Sequence, residues 1–549
     1  MKGSLKAMTF FKVACMNSVL FILIILYGED SWYLLILSAA QLIFVPYMLH
    51  IILKEQRGWI PTFYPYFGIV ASIAIFVLQI TQDSPIDTIL ATIYFMFTIM
   101  LAILGVNRFL HRGFVHVEEF LIDIGLIYMV IGGAWFVAHE AQIDTGFSPI
   151  ITWLTANHFH YSAFLLPVSV GLLGRVHQSK WYPLVATIII ISPMVVALGI
   201  TFSVILEFVS VILYIIGIYG LIGLSFQTSF QNTFQKWFVR ISYSALGISI
   251  LFSLIYALGN LSERFFISID FMILFHGLIN IILFAGIGTI GWLVAPPLSK
   301  QREIVFPISK IRGSVVVDEA ILNGKTDEQS YNGLIDSMKQ FAYDIDTETL
   351  SNTIIDFYEN TKSYRLFAEV YWHHWFLPLA IIYRQISRFI KQLNLPLSSR
   401  YNEMTGDIHG IADHIDGRSN TRAWVRKISQ ETVFVALYSH HQSGERTYMN
   451  IALPLPRTSM IGILELNQQG EHLQLTSKKV RTTKADSGIY LVIRNRLFRL
   501  PIEETFDVEE VEEGLLKARH RMWLFSIPFL HINYRIEHKH LPQLERKVE

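Results

Sequence analysis

The sequence predicts an all-α membrane bundle of about ten transmembrane helices, followed by a cytoplasmic α+β domain whose β part is an antiparallel barrel or sandwich. Three observations predict it. Long apolar stretches fill the first three hundred residues, and Lys and Arg gather at alternate connections between them. Beyond about Arg400 the apolar period changes from helical spacing to two.

The stretches run over 8–27, 31–53, 59–81, 86–107, 117–139, 150–174, 181–199, 202–226, 237–258 and 267–295. Most reach the ~20 apolar residues that cross a ~30 Å hydrocarbon core as a helix. Helices are required because lipid offers backbone polar groups no partner. Lys2, Lys6 and Lys12 precede the first span; Lys54 and Arg57 follow the second, and Arg108 and Arg112 the fourth. Arg175 and Lys180 follow the sixth, Lys236 and Arg240 the eighth, and Lys300 and Arg302 the tenth. The opposite connections carry only Arg264. By the positive-inside rule both termini and the C-terminal domain are expected in the cytoplasm.

At 549 residues the chain should hold more than one domain. Its 52% hydrophobic content and zero net charge average two unlike regions. Residues 1–299 are lipid-like, whereas 300–549 are charged and numerous enough to bury a core of their own. No basic excess points to nucleic acid. The single cysteine, Cys15, lies inside the first span, which excludes disulfides and cysteine-based zinc sites. Gly28-Glu29-Asp30 is no small-residue cleavage site, so the first stretch reads as a retained span.

Ala295-Pro296-Pro297 ends the last membrane helix, and 300–326 reads as a juxtamembrane linker. Over 327–398 the apolar spacing is helical: Leu334, Met338 and Phe341, then Ile354, Ile355 and Phe357. Here Trp372 and Trp375, with Arg384 and Arg388, fit a helix lying in the membrane interface; a core helix of the soluble domain is the other reading. Residues 399–549 read as the antiparallel β domain. Val433, Val435 and Leu437 alternate with Phe434, Ala436 and Tyr438, and 489–500 reads as a hairpin turning near Arg494-Asn495. Further strands over 520–537 are expected to break at Pro528. Closure would protect the strand edges and leave a cavity for one apolar ligand.

Ionisable side chains inside hydrocarbon are costly and usually mark a function. At ~1.5 Å per residue, His158 and His160 on the sixth span and His276 on the tenth lie about 12–15 Å in from the outer face. Glu207 on the eighth lies about 10 Å in from the same side. His158 and His160, two apart, point to nearly opposite helix faces, whereas Asn157 shares a face with His160 and Asn280 with His276. The candidate site is therefore Asn157, His158, His160, Tyr161, Glu207, His276 and Asn280. His160, His276 and Glu207 would suit zinc, iron or copper, and two facing histidines would suit haem. Against this stand histidines that only bridge helices by hydrogen bonds, and histidines that carry protons or a small solute. Glu118, Glu119 and Asp123, opposite Arg108 and Arg112, read as an interfacial ion-pair patch. No Walker loop, dinucleotide fingerprint, nucleophile elbow or HExxH is present, which excludes the familiar ATP-driven and hydrolase chemistries.

The segment Trp153-Leu154-Thr155-Ala156-Asn157-His158-Phe159-His160-Tyr161, with Phe275-His276-Gly277 and Asn280, resembles the YndJ-like integral membrane proteins of Bacillus-type bacteria. The resemblance covers essentially the whole chain. It implies a bacterial plasma-membrane location and ten spans with a β-rich tail, and carries over no catalytic roles. Three functions stay open. One is a metal or haem enzyme acting on a lipid-soluble small molecule, and another is a proton-coupled or small-solute transporter. The third is an anchored domain that binds membrane lipids or senses.

Overall fold

Residues 2–28, 31–54, 59–81, 84–114, 116–177, 179–264, 267–299, 306–478, 485–494 and 496–541 are described by the computed structural model. Arg57, Lys300 and Arg302, three of the orienting residues, lie outside them, as do Glu29, Asp30 and Asn495. The chain divides into two units, Met1–Phe109 with His116–Gln301 and Leu110–Val115 with Arg302–Glu549.

In the first unit, ten helices among the described residues are long and apolar enough to span a bilayer. They are Phe10–Tyr27, Trp32–Leu53, Thr62–Thr81, Asp87–Leu110, Val117–Glu140, Pro149–Val176, Tyr182–Phe202, Val204–Gln227, Thr233–Ser262 and Ile269–Val294. Each coincides with an expected stretch, because a bilayer selects helices by apolar length. The sixth span is the central one: 89% of its most apolar window is buried, against 22% for the tenth. Spans two, six and ten contain π-wound segments, at Ala40–Phe44, Tyr161–Leu165, and Met272–Gly277 with Ile279–Ile287. Pro46 and Pro167 follow the first two. A proline removes a backbone donor and crowds the turn before it, which loosens the winding there.

The expected pairing of Glu119 and Asp123 with Arg108 is present and buried within the bundle. Arg108 donates from Nε to Asp123 at 2.7 Å and from Nη2 to Glu119 at 2.9 Å, with all three side chains at most 2% exposed. Arg175, from the central span, donates to both oxygens of Glu119, and Ser299 Oγ adds a third donor at 2.8 Å. Three spans and the segment after the tenth are thus tied at one level.

The second unit is built on strands β1 Thr326–Ser330, β2 Tyr364–Trp372, β3 Asn402–Ile411, β4 Thr421–Ile428, β5 Glu431–Ser443, β6 Arg446–Leu455 and β7 Thr458–Gln469. β8 His472–Thr476, β9 Gly488–Ile493, β10 Arg496–Arg499, β11 Ile502–Glu512, β12 Leu515–Leu524 and β13 Ile527–His538 follow. Ten of them close an antiparallel barrel in the order β7-β6-β5-β4-β3-β2-β13-β12-β11-β8, with β8 pairing back onto β7. β7 divides its edge: Glu465–Gln469 pair with β8, and Thr458–Ile463 with β9 of the β9–β10 hairpin. The barrel interior packs Trp424, Ala436, Tyr438, Leu464 and Ile532. A second core, around Val425, Val435, Leu437 and Ile461, lies on the outer side under Tyr490 and Phe306.

The alternation expected along β5 holds except at Val433, which joins the interior core where the β4–β5 register shifts. Such a bulge puts two residues opposite one and turns a side chain over. Two other expectations are corrected. The helical reading of 327–398 fails over Tyr364–Trp372, which pairs with β13 as a barrel strand; helices stand on either side, Asn352–Glu359 and Leu377–Ile390. The break expected at Pro528 falls at Phe525-Ser526, both left-handed, and Pro528 pairs within β13 at a register shift. Bulges are where a strand admits proline.

Candidate functional site

The bundle contains a cavity of about 270 Å³ bordered by side chains of the fifth through tenth spans. Its walls are mostly apolar, with Trp135, Pro193, Ala197 and Tyr214 among them, and its polar groups include His158, His276, Asn280 and Ser249. Few and convergent polar groups in an apolar hollow are typical of a small-molecule site.

His276 is held at both ring nitrogens. Its Nδ1–H donates to the Ser249 carbonyl at 2.9 Å, and its Nε2 accepts from Asn280 Nδ2 at 3.0 Å. Asn280 Oδ1 in turn accepts from Ser249 Oγ at 2.7 Å. The loop closes through the Ser249 main chain, and the network assigns His276 as a neutral imidazole protonated on Nδ1. His158 differs. Its ring opens into the cavity, and among the described residues that ring makes no hydrogen bond.

The helix is regular through His160 and widens only from Tyr161, so the two histidines diverge as their spacing requires. His160 is 1% exposed and points away from the cavity, with Nδ1 donating to Ala156 O at 2.8 Å. Its Nε2 accepts from Tyr94 at 2.8 Å. Both nitrogens are occupied, so His160 has no lone pair for a metal. Asn157 donates to Trp153 O at 3.0 Å, and among the described residues its buried Oδ1 has no partner. Tyr161 borders the cavity but spends its hydroxyl on Ile36 O, 2.7 Å away in the second span. Glu207 is half-buried, accepts from Asn260 Nδ2 at 3.1 Å, and is not part of the cavity wall. The set His160, His276 and Glu207 is not brought together. Among the described residues no three His, Cys, Asp or Glu side chains gather as a metal site.

Sequence reasoning missed Tyr94 and Ser249. Both are polar residues in otherwise apolar spans, but a single hydroxyl in a helix is a weak signal, since it can return to its own backbone.

The expected lipid-facing residues also separate. Trp372 Nε1 donates to Pro396 O at 3.1 Å, and Trp375 Nε1 donates to Pro528 O at 2.8 Å. Arg384 is tied to Asn394, while Arg388 extends beside Glu431 at 3.9 Å with both side chains exposed. The helix Leu377–Ile390 buries Ala380 and Ser387 and leaves Leu379, Ile382, Ile386 and Phe389 exposed, the last at 65%. Their spacing of three and four places them on one stripe.

The YndJ-like protein family matches residues 35–284, which hold most of the bundle and all of the cavity. A relative, the uncharacterized membrane protein YndJ of Bacillus subtilis (strain 168), is 38% identical over 459 residues, 82% of this chain and 84% of its own. No solved structure matches the chain. Ten apolar helices, a C-terminal β barrel and this identity place the chain in the YndJ-like family of multi-pass membrane proteins.

Proposed function

We propose that the chain is a plasma-membrane binding protein whose helical bundle takes up a lipid-soluble small molecule beside His158 and His276. The observation that carries this reading is the cavity of about 270 Å³ with an unengaged imidazole, His158, on its wall. An apolar hollow selects an apolar body, and one free imidazole selects a ligand carrying a donor or an acceptor. His276 serves as a fixed neighbour, because the Ser249–Asn280 loop holds its orientation. The C-terminal domain, cytoplasmic by the positive-inside rule, rests on lipid through the stripe Leu379, Ile382, Ile386 and Phe389, with Arg388 beside lipid phosphates.

A second reading, proton passage, has one observation in its favour. Turning the Asn280 amide over would let Oδ1 accept from a protonated His276 and let Nδ2 donate to Ser249, so the loop has two hydrogen-bond directions.

The test is extraction and mass spectrometry of small molecules that co-purify in native-lipid nanodiscs. The expected result is a near-stoichiometric apolar compound lost in Ala197→Phe, which fills the cavity, and weakened in His158→Ala. An identical extract from all three proteins would reject the reading.

A further inference from the structure

The barrel interior carries a charge that the fold leaves incompletely partnered. Arg426 on β4 points inward beside Trp424 and opposite Phe434, its guanidinium carbon 4.6 Å and 4.3 Å from the two ring centres. It is 9% exposed, and among the described residues its Nε has no hydrogen-bond partner. The Tyr534 hydroxyl stands beside it. Both border a space of about 70 Å³ whose other walls are mostly apolar, Met449 and Leu464 among them. The interior carboxylate Glu504 is hydrogen-bonded to His520 Nε2 at 2.9 Å, and among the described residues no ion pair joins a carboxylate to Arg426. A buried guanidinium with an open donor is costly until an anion joins it.

The wall of the barrel is open next to this arginine. β2 and β3 pair only where Leu366, Phe367 and Ala368 meet Met404, Glu403 and Asn402. Beyond Met404 the strands part, and a second cavity of about 250 Å³ occupies the gap. Leu366, Phe357 and Trp424 border both spaces, so the gap leads inward. Lys362, Arg365 and Lys539 border it, as do the carboxylates Glu403 and Asp407. An apolar side to the gap, formed by Phe357, Leu366, Met404, Ile408 and Trp424, and a buried arginine at its inner end match an amphipathic anion.

We infer that the barrel binds a long-chain carboxylate, with the headgroup on Arg426 and Tyr534 and the chain in the gap between β2 and β3. A carboxylate fits better than a phosphate ester because one guanidinium balances one negative charge. This site is independent of the one in the bundle, and either can fail without the other.

The test uses the full chain in nanodiscs, a palmitate bearing a photoactivatable diazirine, and peptide mapping after irradiation. Label is expected on β2 and β3, competed by excess palmitate but not by hexadecanol, and reduced about tenfold or more in Arg426→Gln, the loss expected for one charge-assisted hydrogen bond. Label confined to the membrane spans, or competed equally by hexadecanol, overturns the inference. A measurement on the unaltered protein separates misfolding of the variant from loss of binding. Palmitate, unlike hexadecanol, should slow hydrogen exchange in β4 and β13, and unchanged exchange overturns the inference whatever the variant does.

Discussion

Arg175 holds Glu119 through two parallel hydrogen bonds, Nε to Oε1 at 2.8 Å and Nη2 to Oε2 at 2.9 Å. The pair joins the fifth and sixth spans, and Arg108 brings in the fourth through the same carboxylate. Removing one member strands the others as uncompensated buried charge. Glu119→Ala should therefore lower bundle stability by ~3–5 kcal/mol. Arg175→Lys should lose much of the same, because an ammonium cannot form the two-pronged contact. Unfolding titrations in mixed micelles measure both, and a Glu119→Ala midpoint equal to that of the unaltered protein would count against the pairing.

The two remaining nitrogen contacts of His160 give a second prediction. Tyr94→Phe leaves Nε2 buried and unpaired and should destabilise the bundle by ~1–3 kcal/mol. Bound metal, measured by elemental analysis, should be the same in Tyr94→Phe, His160→Ala and the unaltered protein. A transition metal lost in His160→Ala would show that the imidazole is a ligand after all.

For the exposed stripe on the helix Leu377–Ile390, spin labels can report depth directly. With the sole cysteine removed as Cys15→Ser, a label at Phe389 should be more accessible to oxygen than to a water-soluble nickel chelate. A label at Lys517, exposed on the barrel, should show the reverse. Ile382→Asp with Ile386→Asp should shift Phe389 toward the aqueous pattern, since each apolar side chain moved from water to lipid contributes ~1.5–3 kcal/mol. Equal accessibility at both sites would remove the helix from the membrane surface.

Acid should weaken the barrel. Burial, then the neighbouring His441, holds the His440 imidazole below its ordinary value. Burial, then His373 and Arg519, does the same for His531. In the unfolded chain both titrate near ~6.5. Their contribution is thus fully present above that pH and is lost as pH falls toward the folded values, because the unfolded state takes up protons that the folded state resists. The denaturant midpoint of β5, read by pulsed hydrogen exchange, should fall between about pH 7.5 and 5.5, and less steeply in His440→Gln. A midpoint rising with acid would contradict the sign.

The sequence by itself determined the ten spans, the β-rich C-terminal region and the pairing of β9 with β10 as a hairpin, because apolar length, period and turn chemistry are local properties. It also carried the divergence of His158 and His160, which follows from helix phase alone. Only the tertiary structure decided which histidine faces the cavity, since both are equally apolar in their sequence surroundings. The partner that settles it, Tyr94 on the fourth span, lies 66 positions along the chain from His160. Strand β2 was illegible for a related reason: its pairing with β13 joins residues more than 150 positions apart, and a short apolar run fits a buried helix as well as a strand. Arg426 was likewise invisible as an interior charge, because which face of β4 turns inward is decided by its pairing with β3 and β5 in the closed barrel.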